Sequence, residues 1–462
     1  MTETHAPPDH DIAVIGGGAS GVMTAIQLLR DAPAGRRIVL CEPQSSRADG
    51  VAYATRRPEH LLNVPAGKMS AFVDAPGDFV DFLRQSGRSE LPADVLSRLY
   101  MPRMHYGAYL RERLAAARAA SAGVLEWRAD AVDALTSVPG GYRLQLRGGE
   151  ALSARHVVLA VGNALRPLPL RGATALAPEQ RLEAWDTEAI AAVPAEAAIA
   201  IIGAGLSMVD SVITLASRGH RGPIHVMSRH GLMPLPHTDT APYEFDPAPL
   251  LALPLRARMR ALRDTVRAAA AQGLPWQAVM ERIRPLGQPL WQSLSPTEQR
   301  RFLRHVARPW DVHRHRIDAQ VHAQLQAMRA SGQLQLHRAR LDAAWTAGAC
   351  VRIEGRGHDG APLHLEVQRV INATGVEMRV QAMRNPLLQQ LLGEGLAAAG
   401  PHGIGIDSDN DAAGTVLDAT GQAAPRLWVI GSLRIGRLWE SLAIPELRAQ
   451  AQAVATAVNA DA

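Results

Sequence analysis

The stretch DIAVIGGGASGVMTA, from Asp11 to Ala25, decides the fold of this chain. Its residues Ile12 to Ile15 form a short, wholly apolar run, which is typical of a parallel strand buried on both faces. The residues from Val22 to Leu29 have the pattern of a helix. Between strand and helix stand three glycines in the spacing G-x-G-x-x-G: Gly16, Gly18 and Gly21. This order of elements predicts a nucleotide-binding α/β module.

Each glycine of this turn has its own role. The first allows the tight turn, the second lets the backbone approach a pyrophosphate, and the third lets the helix pack close to the strand. The helix N-terminus adds N–H groups and the positive end of a dipole. A second apolar strand, RRIVLCEP, brings Glu42 to 21 positions after Gly21, near the spacing of a carboxylate that accepts from a ribose 2′-hydroxyl. We predict a dinucleotide site; the alternative is a glycine-rich turn in another parallel α/β protein.

A second stretch, AIAIIGAGLSMVDS from Ala198 to Ser211, repeats the pattern. An apolar strand again ends in two glycines, Gly203 and Gly205, and again leads into a helix. Ser207 stands in the first helical turn, where a hydroxyl can donate to a phosphate. Met208 replaces the third glycine, which predicts looser packing of helix on strand without loss of the phosphate site.

The residues after the next strand, PIHVMS, distinguish the second site from the first. This strand ends at Ser228-Arg229-His230, with no carboxylate where the first module has Glu42. A carboxylate there repels a 2′-phosphate, whereas Arg229 pairs with one. The sequence therefore predicts NADP(H) rather than NAD(H) at the second site. The alternative reading of Arg229 is an ordinary surface arginine.

The two halves share more than their glycines. GVLEWRADAVDAL (Gly123 to Leu135) aligns without gaps with GQLQLHRARLDAA (Gly332 to Ala344). Each follows a helix-like segment, precedes short alternating strands, and leads to a closing buried strand, HVVLAVGN or RVINATGVE. We predict an α/β fold with two Rossmann-like three-layer dinucleotide-binding domains, the second inserted in the first. The expected boundaries are 1–165 with 376–462 for the FAD-binding domain, 195–231 with 320–375 for the NAD(P)-binding domain, and 232–319 for a helical insertion or lid.

Composition limits the classes of function. The 462 residues are 47% hydrophobic and 20% charged, which suits a globular chain of two or three domains. The net charge of +5 comes from dispersed arginines, so no nucleic-acid surface is expected. Cys41 and Cys350 are far apart and form no C-x-x-C, which argues against a redox disulfide of the usual type. Neither a signal peptide nor a transmembrane run is expected, so we expect a soluble cytoplasmic protein.

Three longer stretches carry a family resemblance: GVAYATRRPEHLLNVPAGKMSAF, WDVHRHR and GRLWESLAIPELRAQA. Together with the doubled module and the returning C-terminal strand, they resemble a bacterial FAD/NAD(P)-binding family whose wider relatives include the class B flavin monooxygenases, among them N-hydroxylases of amines. The resemblance implies that the first module binds FAD and the second binds NADPH.

The resemblance also implies roles for individual residues. The implied FAD contacts are Gly16, Gly18, Ser20 and Gly21 at the pyrophosphate, Glu42 at the ribose, Val132 at the adenine, Asn63, Met69 and Ser70 near the isoalloxazine, and Gly431 at the pyrimidine end. The NADPH contacts are Gly203, Gly205, Ser207 and Arg229. For catalysis the candidates are Asn63 and His60, with loop hydrogen bonding as the alternative for each.

Two departures from these relatives bear on the reaction. Ser432 follows Gly431 where many related flavoproteins have an aspartate on the ribityl chain. The stretch Pro167 to Asp186 has no phenylalanine and no histidine, although a phenylalanine-glycine-histidine fingerprint is usual there in class B monooxygenases. The second departure argues against monooxygenation and leaves the cofactor assignments intact. No metal site is expected, because the histidines of WDVHRHRI have no evident partner ligands; a hinge or an anion clamp remain open for that stretch.

Three functions remain open after these observations. In the first, NADPH reduces FAD, which reacts with O₂ to oxygenate a small molecule, with N-hydroxylation of an amine as one form. The second is an NADPH-dependent reductase that passes electrons to another acceptor. The third is a flavin-binding regulatory or scaffolding protein, against which the intact glycines of both modules argue. A small-molecule substrate is expected, and homo-oligomerisation is left open.

Overall fold

The computed structural model describes residues 7–43 and 50–461, so the first six residues, on which the signal-peptide expectation rests, lie outside it. The chain divides into two compact units. Unit 1 contains the described residues up to Arg56, then Val64–Ala164, and the described residues from Glu377 onwards. Unit 2 contains Arg57–Asn63 and Leu165–Val376. Unit 2 thus interrupts unit 1 along the chain. It includes 57–63, expected in the FAD-binding domain, and 166–194, which no expected domain contained.

The core of unit 1 is an eight-stranded sheet among the described residues. Numbered along the whole chain, its strands are β1 His10–Ile15, β2 Arg37–Cys41, β3 Val124–Arg128, β4 Val132–Val138, β5 Gly141–Leu146, β6 Ala151–Leu159, β16 Thr415–Leu417 and β17 Ala423–Val429. The order is β16-β17-β6-β1-β2-β3, and β4 and β5 form an antiparallel extension of β6. Because β1 lies between parallel partners β2 and β6, its apolar run is buried on both faces.

Two further layers cover this sheet. The helices of unit 1 are α1 Ala19–Arg30, α2 Gly50–Tyr53, α3 Asp78–Gln85, α4 Ala93–Leu96, α5 Arg103–Ala120, α14 Pro386–Gly393, α15 Ile435–Leu438 and α16 Ile444–Ala460. Helix α1 packs between α5 and α16. On the other face, Ala13 and Ile15 of β1 share a core with Leu135 and Leu144 of the β4–β5 extension. This is the predicted three-layer arrangement.

Unit 2 repeats the plan with seven described strands. They are β8 Arg181–Glu183, β9 Ile199–Ile202, β10 Ile224–Ser228, β11 Leu334–Ala347, β12 Cys350–Gly357, β13 Pro362–Val367 and β14 Arg369–Asn372, in the order β13-β12-β11-β10-β9-β14-β8. Two short strands, β7 Ala164–Leu165 and β15 Val376–Glu377, lie where the chain passes between units. Along β9, Ile199 and Ile201 face one apolar core, and Ala200 and Ile202 face the other.

The aligned repeat segments differ in one respect. In unit 1 the segment is two strands, β3 and β4, with a break between Arg128 and Val132. In unit 2 it is one strand, β11, of 14 residues, with a register shift between Leu341 and Ala343. A bulge bends a strand without ending it, so one strand can pair first with β10 and then with β12.

The remaining helices belong to unit 2. They are α6 Thr187–Ala191, α7 Leu206–Ser217, α8 Leu255–Ala271, α9 Trp276–Ile283, α10 Gly287–Gln292, α11 Pro296–His305, α12 Ala307–Arg314 and α13 Ala319–Ala330. Helices α8 to α12 form the predicted helical insertion, which has a small core of its own around Leu262 and Ile283. No helix in the described residues is long and apolar enough to cross a membrane.

Candidate nucleotide-binding sites

The two glycine turns have the same backbone geometry. Gly16 has φ +110°, and a Cβ on it would lie 2.3 Å from the carbonyl oxygen of Ala160. Gly203 has φ +112°, and its Cβ would lie 2.1 Å from the carbonyl oxygen of Ala373. In each unit the first strand therefore turns so close to the closing strand that only glycine fits.

The N-terminus of α1 has neither a side-chain cap nor an acidic residue in its first turn. Its N-cap residue is Gly18. A Cβ on Gly21 would lie 1.9 Å from the carbonyl oxygen of Gly16, so the third glycine is needed for the close approach of the helix. Ser20 is half-buried in the first helical turn. Backbone N–H groups at such a turn suit a pyrophosphate.

Glu42 stands directly after β2, at the mouth of the same turn. Its N–H donates to the carbonyl oxygen of Arg128, which fixes its backbone. Its carboxylate accepts from the N–H of Gly17, with a distance of 2.7 Å. A Cβ on Gly17 would lie 2.8 Å from the Cβ of Glu42. The variable position between the first two glycines of the motif therefore also favours glycine in this chain. The structure thus brings together the predicted ribose carboxylate and the predicted pyrophosphate turn.

The C-terminal strand contributes the far wall of this site. Gly431, after β17, has φ +79°, and a Cβ on it would lie 2.7 Å from the hydroxyl of Ser20. Its N–H donates to Oε1 of Gln450 over 3.0 Å, and the hydroxyl of Ser441 donates to its carbonyl oxygen over 3.2 Å. The Ser432 hydroxyl is buried and has no hydrogen-bond partner within the described part of the chain. A buried hydroxyl without a partner, beside a glycine turn, could donate its hydrogen bond to an acceptor on a bound ligand.

The loop that contains Met69 and Ser70 is held against the same helices. Met69 is 1% exposed and Ser70 is fully buried. Arg448 of α16 donates to the carbonyl oxygen of Ser70 over 3.2 Å, and Gln27 of α1 donates to the next carbonyl oxygen. Val132, the predicted adenine contact, opens β4 and is 6% exposed.

His60 and Asn63 belong to unit 2, whereas Met69 and Ser70 belong to unit 1. The His60 ring is 2% exposed and hydrogen-bonds the hydroxyl of Thr214 on α7 over 2.7 Å. The carbonyl oxygen of Asn63 accepts from the ring of His237 over 3.2 Å. The bond of His60 to Thr214 is of the kind that its alternative role, hydrogen bonding of the loop, describes.

The second turn differs from the first where Met208 stands. Gly205 is the N-cap residue of α7 and has no side-chain cap, and Ser207 is half-buried in the first turn. Met208 is fully buried in the core of unit 2. Helix α7 therefore has room for a side chain where α1, at Gly21, has none.

Arg308 of α12 is a candidate site residue that sequence reasoning did not identify. Its Nη2 donates to the carbonyl oxygens of Ala204, over 2.8 Å, and Leu232, over 2.7 Å. Its Nη1 lies 3.9 Å from the position of a Cβ on Gly205. Burial lowers the pKa of Arg308. Its only sequence signal was its place two residues before the distinctive WDVHRHR stretch.

Two more arginines converge on the same edge of the sheet. Arg229 is exposed directly after β10, and Arg338 of β11 pairs with Ser228 in the parallel register. The pKa of His230 is lowered, first by burial and then by the positive charges of Arg229, Arg308 and Arg338. The carboxyl ends of β10 and β11 thus carry a concentrated positive charge, which suits a phosphate.

The histidines of WDVHRHRI make other contacts. His313 donates from Nδ1 to the carbonyl oxygen of Pro309 over 2.7 Å, and its ring stands edge-on to Trp276. Across residues 7–43 and 50–461, no group of three or more His, Cys, Asp or Glu side chains is placed to hold a metal ion.

Comparison with known proteins agrees with this architecture. Residues 13–164 match a family described as FAD-NAD(P)-binding. An uncharacterised protein of Mycobacterium tuberculosis is 28% identical over 34% of this chain, and the match spans only 36% of that relative's length.

Solved structures resemble nearly the whole chain. The reduced ornithine hydroxylase PvdA of Pseudomonas aeruginosa is 17% identical, with a TM-score of 0.66 over 97% of this chain and 98% of that one. The L-lysine 6-monooxygenase of Pseudomonas syringae is 17% identical, with a TM-score of 0.67 over 98% and 99%. The chain therefore carries an FAD-NAD(P)-binding domain within residues 13–164 and has, over almost its whole length, the fold of these two solved proteins.

Proposed function

We propose that the protein is an FAD-dependent, NADPH-consuming oxidoreductase that acts as a monooxygenase on a small molecule, with N-hydroxylation of an amine as its reaction. The observation that carries the proposal is the doubled glycine turn. Gly16 against Ala160 and Gly203 against Ala373 form two nucleotide cradles of the same geometry in one chain. Two cradles are what an enzyme needs if one nucleotide cofactor is to reduce another.

Unit 1 supports FAD. The N–H groups at Gly18 and in the first turn of α1 would bind the pyrophosphate, and the hydroxyl of Ser20 would donate to it. The Glu42 carboxylate, already placed by Gly17, would accept from a ribose hydroxyl. The unpaired Ser432 hydroxyl fits the role that an aspartate has in the relatives. When bound, FAD would provide the group that accepts a hydride from NADPH and that reacts with O₂.

Unit 2 supports NADPH. The backbone at Gly203 and Gly205 would bind the pyrophosphate, and Arg308 reaches the same turn. Arg229 and Arg338 are at the strand ends where the adenosine ribose lies in this type of module, so they would pair with the 2′-phosphate. A hydrogen bond between two charged groups contributes about 1.5–3 kcal/mol, enough to separate NADPH from NADH.

The fold and the similarity to solved structures support one type of reaction. The solved structures described above act, by their titles, on ornithine and on lysine, both of which carry a side-chain amine. N-hydroxylation is therefore the reaction that we propose for this chain.

A reductase without oxygenation is the second candidate, favoured by the absence of phenylalanine and histidine from Pro167 to Asp186. A disulfide is a poor acceptor for it. Burial raises the pKa of the Cys41 thiol to about 12, so this thiol is a poor partner for disulfide exchange.

The experiment that tests the proposal is a visible absorption spectrum of the purified protein, followed by a measurement of turnover with NADPH. The purified protein is expected to show a flavin absorption band near about 450 nm, directly or after addition of FAD. NADPH is expected to bleach this band anaerobically, faster than NADH does. In air, O₂ consumption coupled to a hydroxylated amine supports the monooxygenase. Turnover only with an added electron acceptor supports the reductase, and a protein that binds no flavin contradicts both.

A further inference from the structure

The peptide group between Ser70 and Ala71 is held at both of its polar atoms. Its N–H, on Ala71, donates to the hydroxyl of Tyr109 on α5 over 3.0 Å. Its carbonyl oxygen, on Ser70, accepts from the guanidinium of Arg448 on α16 over 3.2 Å. Because a peptide group is planar, its N–H and C=O turn together, so these two side chains fix its orientation.

A third helix holds the next carbonyl oxygen of the same loop. Gln27 of α1 donates to the carbonyl oxygen of Ala71 over 3.4 Å. Ser70 and Ala71 are fully buried, and Gln27 is 4% exposed. Three consecutive backbone groups are thus bonded to side chains of three helices in a place that water scarcely reaches. Buried backbone groups need such partners, so the bonds restrict the loop to one arrangement.

A carboxylate directs the hydroxyl of Tyr109. This hydroxyl donates to Oδ2 of Asp78, the first residue of α3, over 2.6 Å. The same oxygen of Asp78 pairs with Arg113 over 2.8 Å. Since the hydroxyl proton points to Asp78, a lone pair of the oxygen is left to accept from Ala71. Burial, and then the charge of Asp78, raises the pKa of Tyr109, so its hydroxyl keeps the proton at neutral pH.

The ring of Tyr109 has a separate role in packing. It is fully buried, and its centroid lies 5.1 Å from that of Phe79 and 5.4 Å from those of Phe82 and Tyr106. Aromatic pairs at these separations stabilise a core through the rings alone. Removal of the hydroxyl therefore separates its effect on the loop from the packing of the ring.

The helices that hold the loop also carry predicted contacts of FAD. Ser20, at the predicted pyrophosphate turn, lies in the first turn of α1. Gln450 of α16 accepts from the N–H of Gly431, at the predicted pyrimidine end, and Arg448 of the same helix holds the loop. The positions of the loop and of the two glycine turns are thus linked through α1 and α16.

We propose that Tyr109 is a positioning residue for FAD. Its hydroxyl, directed by Asp78, fixes the Ser70–Ala71 peptide group, so that the loop meets the isoalloxazine in one arrangement. Tyr109 acts on the flavin through the backbone of this loop. A loop that is ordered before the ligand arrives loses little entropy on binding, which strengthens the contribution of the loop to affinity. The inference rests on the proposed function.

Two phenylalanine variants form a matched pair. Tyr109→Phe removes the hydroxyl that holds Ala71 and keeps the ring in its aromatic surroundings. Tyr106→Phe is the control, because Tyr106 is fully buried on the same helix and its hydroxyl contacts only weakly, at 4.0 Å, the Sδ of Met23. Each variant loses one buried hydroxyl, so a general loss of stability would appear in both.

Two measurements test the inference. In the flavin-free protein, hydrogen exchange of the amides of 69–72 is expected to be at least about tenfold faster in Tyr109→Phe than in the wild type, and unchanged in Tyr106→Phe. In the flavin-loaded protein, Tyr109→Phe alone is expected to bind FAD about tenfold more weakly. At saturating FAD it alone is expected to change the visible circular dichroism of the bound flavin, a signature of the flavin surroundings that stability does not move.

Both changes are required. Wild-type exchange in Tyr109→Phe, wild-type affinity and dichroism in it, or the same changes in Tyr106→Phe would each overturn the inference while the proposed function stands. A wild-type protein that binds no flavin would instead overturn the proposed function, and the inference with it. The spectrum of the wild type therefore distinguishes the two failures.

Discussion

The carboxylate of Glu42 accepts a hydrogen bond of 2.7 Å from the backbone N–H of Gly17. This bond joins the end of the second strand to the glycine turn after the first, so the carboxylate is held in place before a ribose arrives. A preorganised acceptor loses little side-chain entropy on binding, which strengthens its contribution.

Replacing this carboxylate is expected to weaken FAD binding. Glu42→Gln keeps the size of the side chain but removes the charge, and we expect FAD affinity to fall about tenfold, the loss of one charge-assisted hydrogen bond. Fluorescence titration of the flavin-free protein measures the change. Glu90→Gln, at an exposed position of unit 1, is the control and is expected to bind FAD as the wild type does.

The two glycine turns are expected to be separable by mutation. Gly16→Ala would place a Cβ against Ala160 and abolish FAD binding, whereas Gly203→Ala would do the same against Ala373 and abolish NADPH binding while FAD is retained. A positive φ by itself lowers the stability of an alanine variant by about 1–3 kcal/mol, so the control positions must also have a positive φ.

Matched controls exist in each unit. Gly35 has φ +80° and Gly219 has φ +73°, and a Cβ on either meets nothing within 4 Å. Gly35→Ala and Gly219→Ala are therefore expected to lower stability by about 1–3 kcal/mol and to leave both nucleotide affinities unchanged. Loss of FAD from Gly203→Ala, or of NADPH from Gly16→Ala, would contradict the assignment of the two turns.

The arginines of unit 2 are expected to differ in what they recognise. Arg229→Ala should weaken NADPH at least about tenfold and NADH little, because only NADPH carries the 2′-phosphate. Arg308→Ala should weaken both, because its guanidinium also bonds the carbonyl oxygen of Ala204 in the turn itself. Stopped-flow measurement of flavin reduction against nucleotide concentration gives both affinities. Arg218→Ala, exposed at the end of α7, serves as the control, and equal losses of NADPH and NADH in Arg229→Ala would argue against the 2′-phosphate contact.

Acid is expected to destabilise the protein through His156. The ring is 2% exposed and stacks on Trp428, and burial lowers its pKa to about 4. Since the unfolded chain binds this proton more readily, stability is present above the unfolded pKa of about 6.5 and is lost as the pH falls toward about 4.

The size of this effect can be measured. Between about pH 7 and pH 5 the loss from one such histidine is about 2 kcal/mol. His156→Phe, which keeps a ring against Trp428, is expected to show a smaller fall of its thermal unfolding midpoint over this range than the wild type. His358→Phe, at an exposed turn, is the control. An unchanged pH dependence in His156→Phe would show that this ring does not carry the effect.

Much of the fold follows from local patterns. The apolar run Ile12 to Ile15, the run Ile199 to Ile202 and the glycines after them predicted two parallel modules, and both strands are present and fully or almost fully buried. The α8 helix was also predictable, because its apolar residues recur at helical spacing within one continuous segment. What the patterns could not supply is which distant residues meet. Ser20 and Gly431 are brought together only when α1, β17 and α16 pack, and the return of 57–63 to unit 2 has no local signal.

The sequence by itself determined the doubled module, the place of each glycine turn and the carboxylate after the first of them. These depend on backbone conformation and on strand or helix period, which neighbouring residues specify. Only the tertiary structure decided that Arg308 and Arg338 join Arg229 at one sheet edge, and that Arg316 pairs with Glu281. Such groupings depend on the packing of helices against sheets, where residues far apart along the chain are placed by the shape and burial of the whole unit.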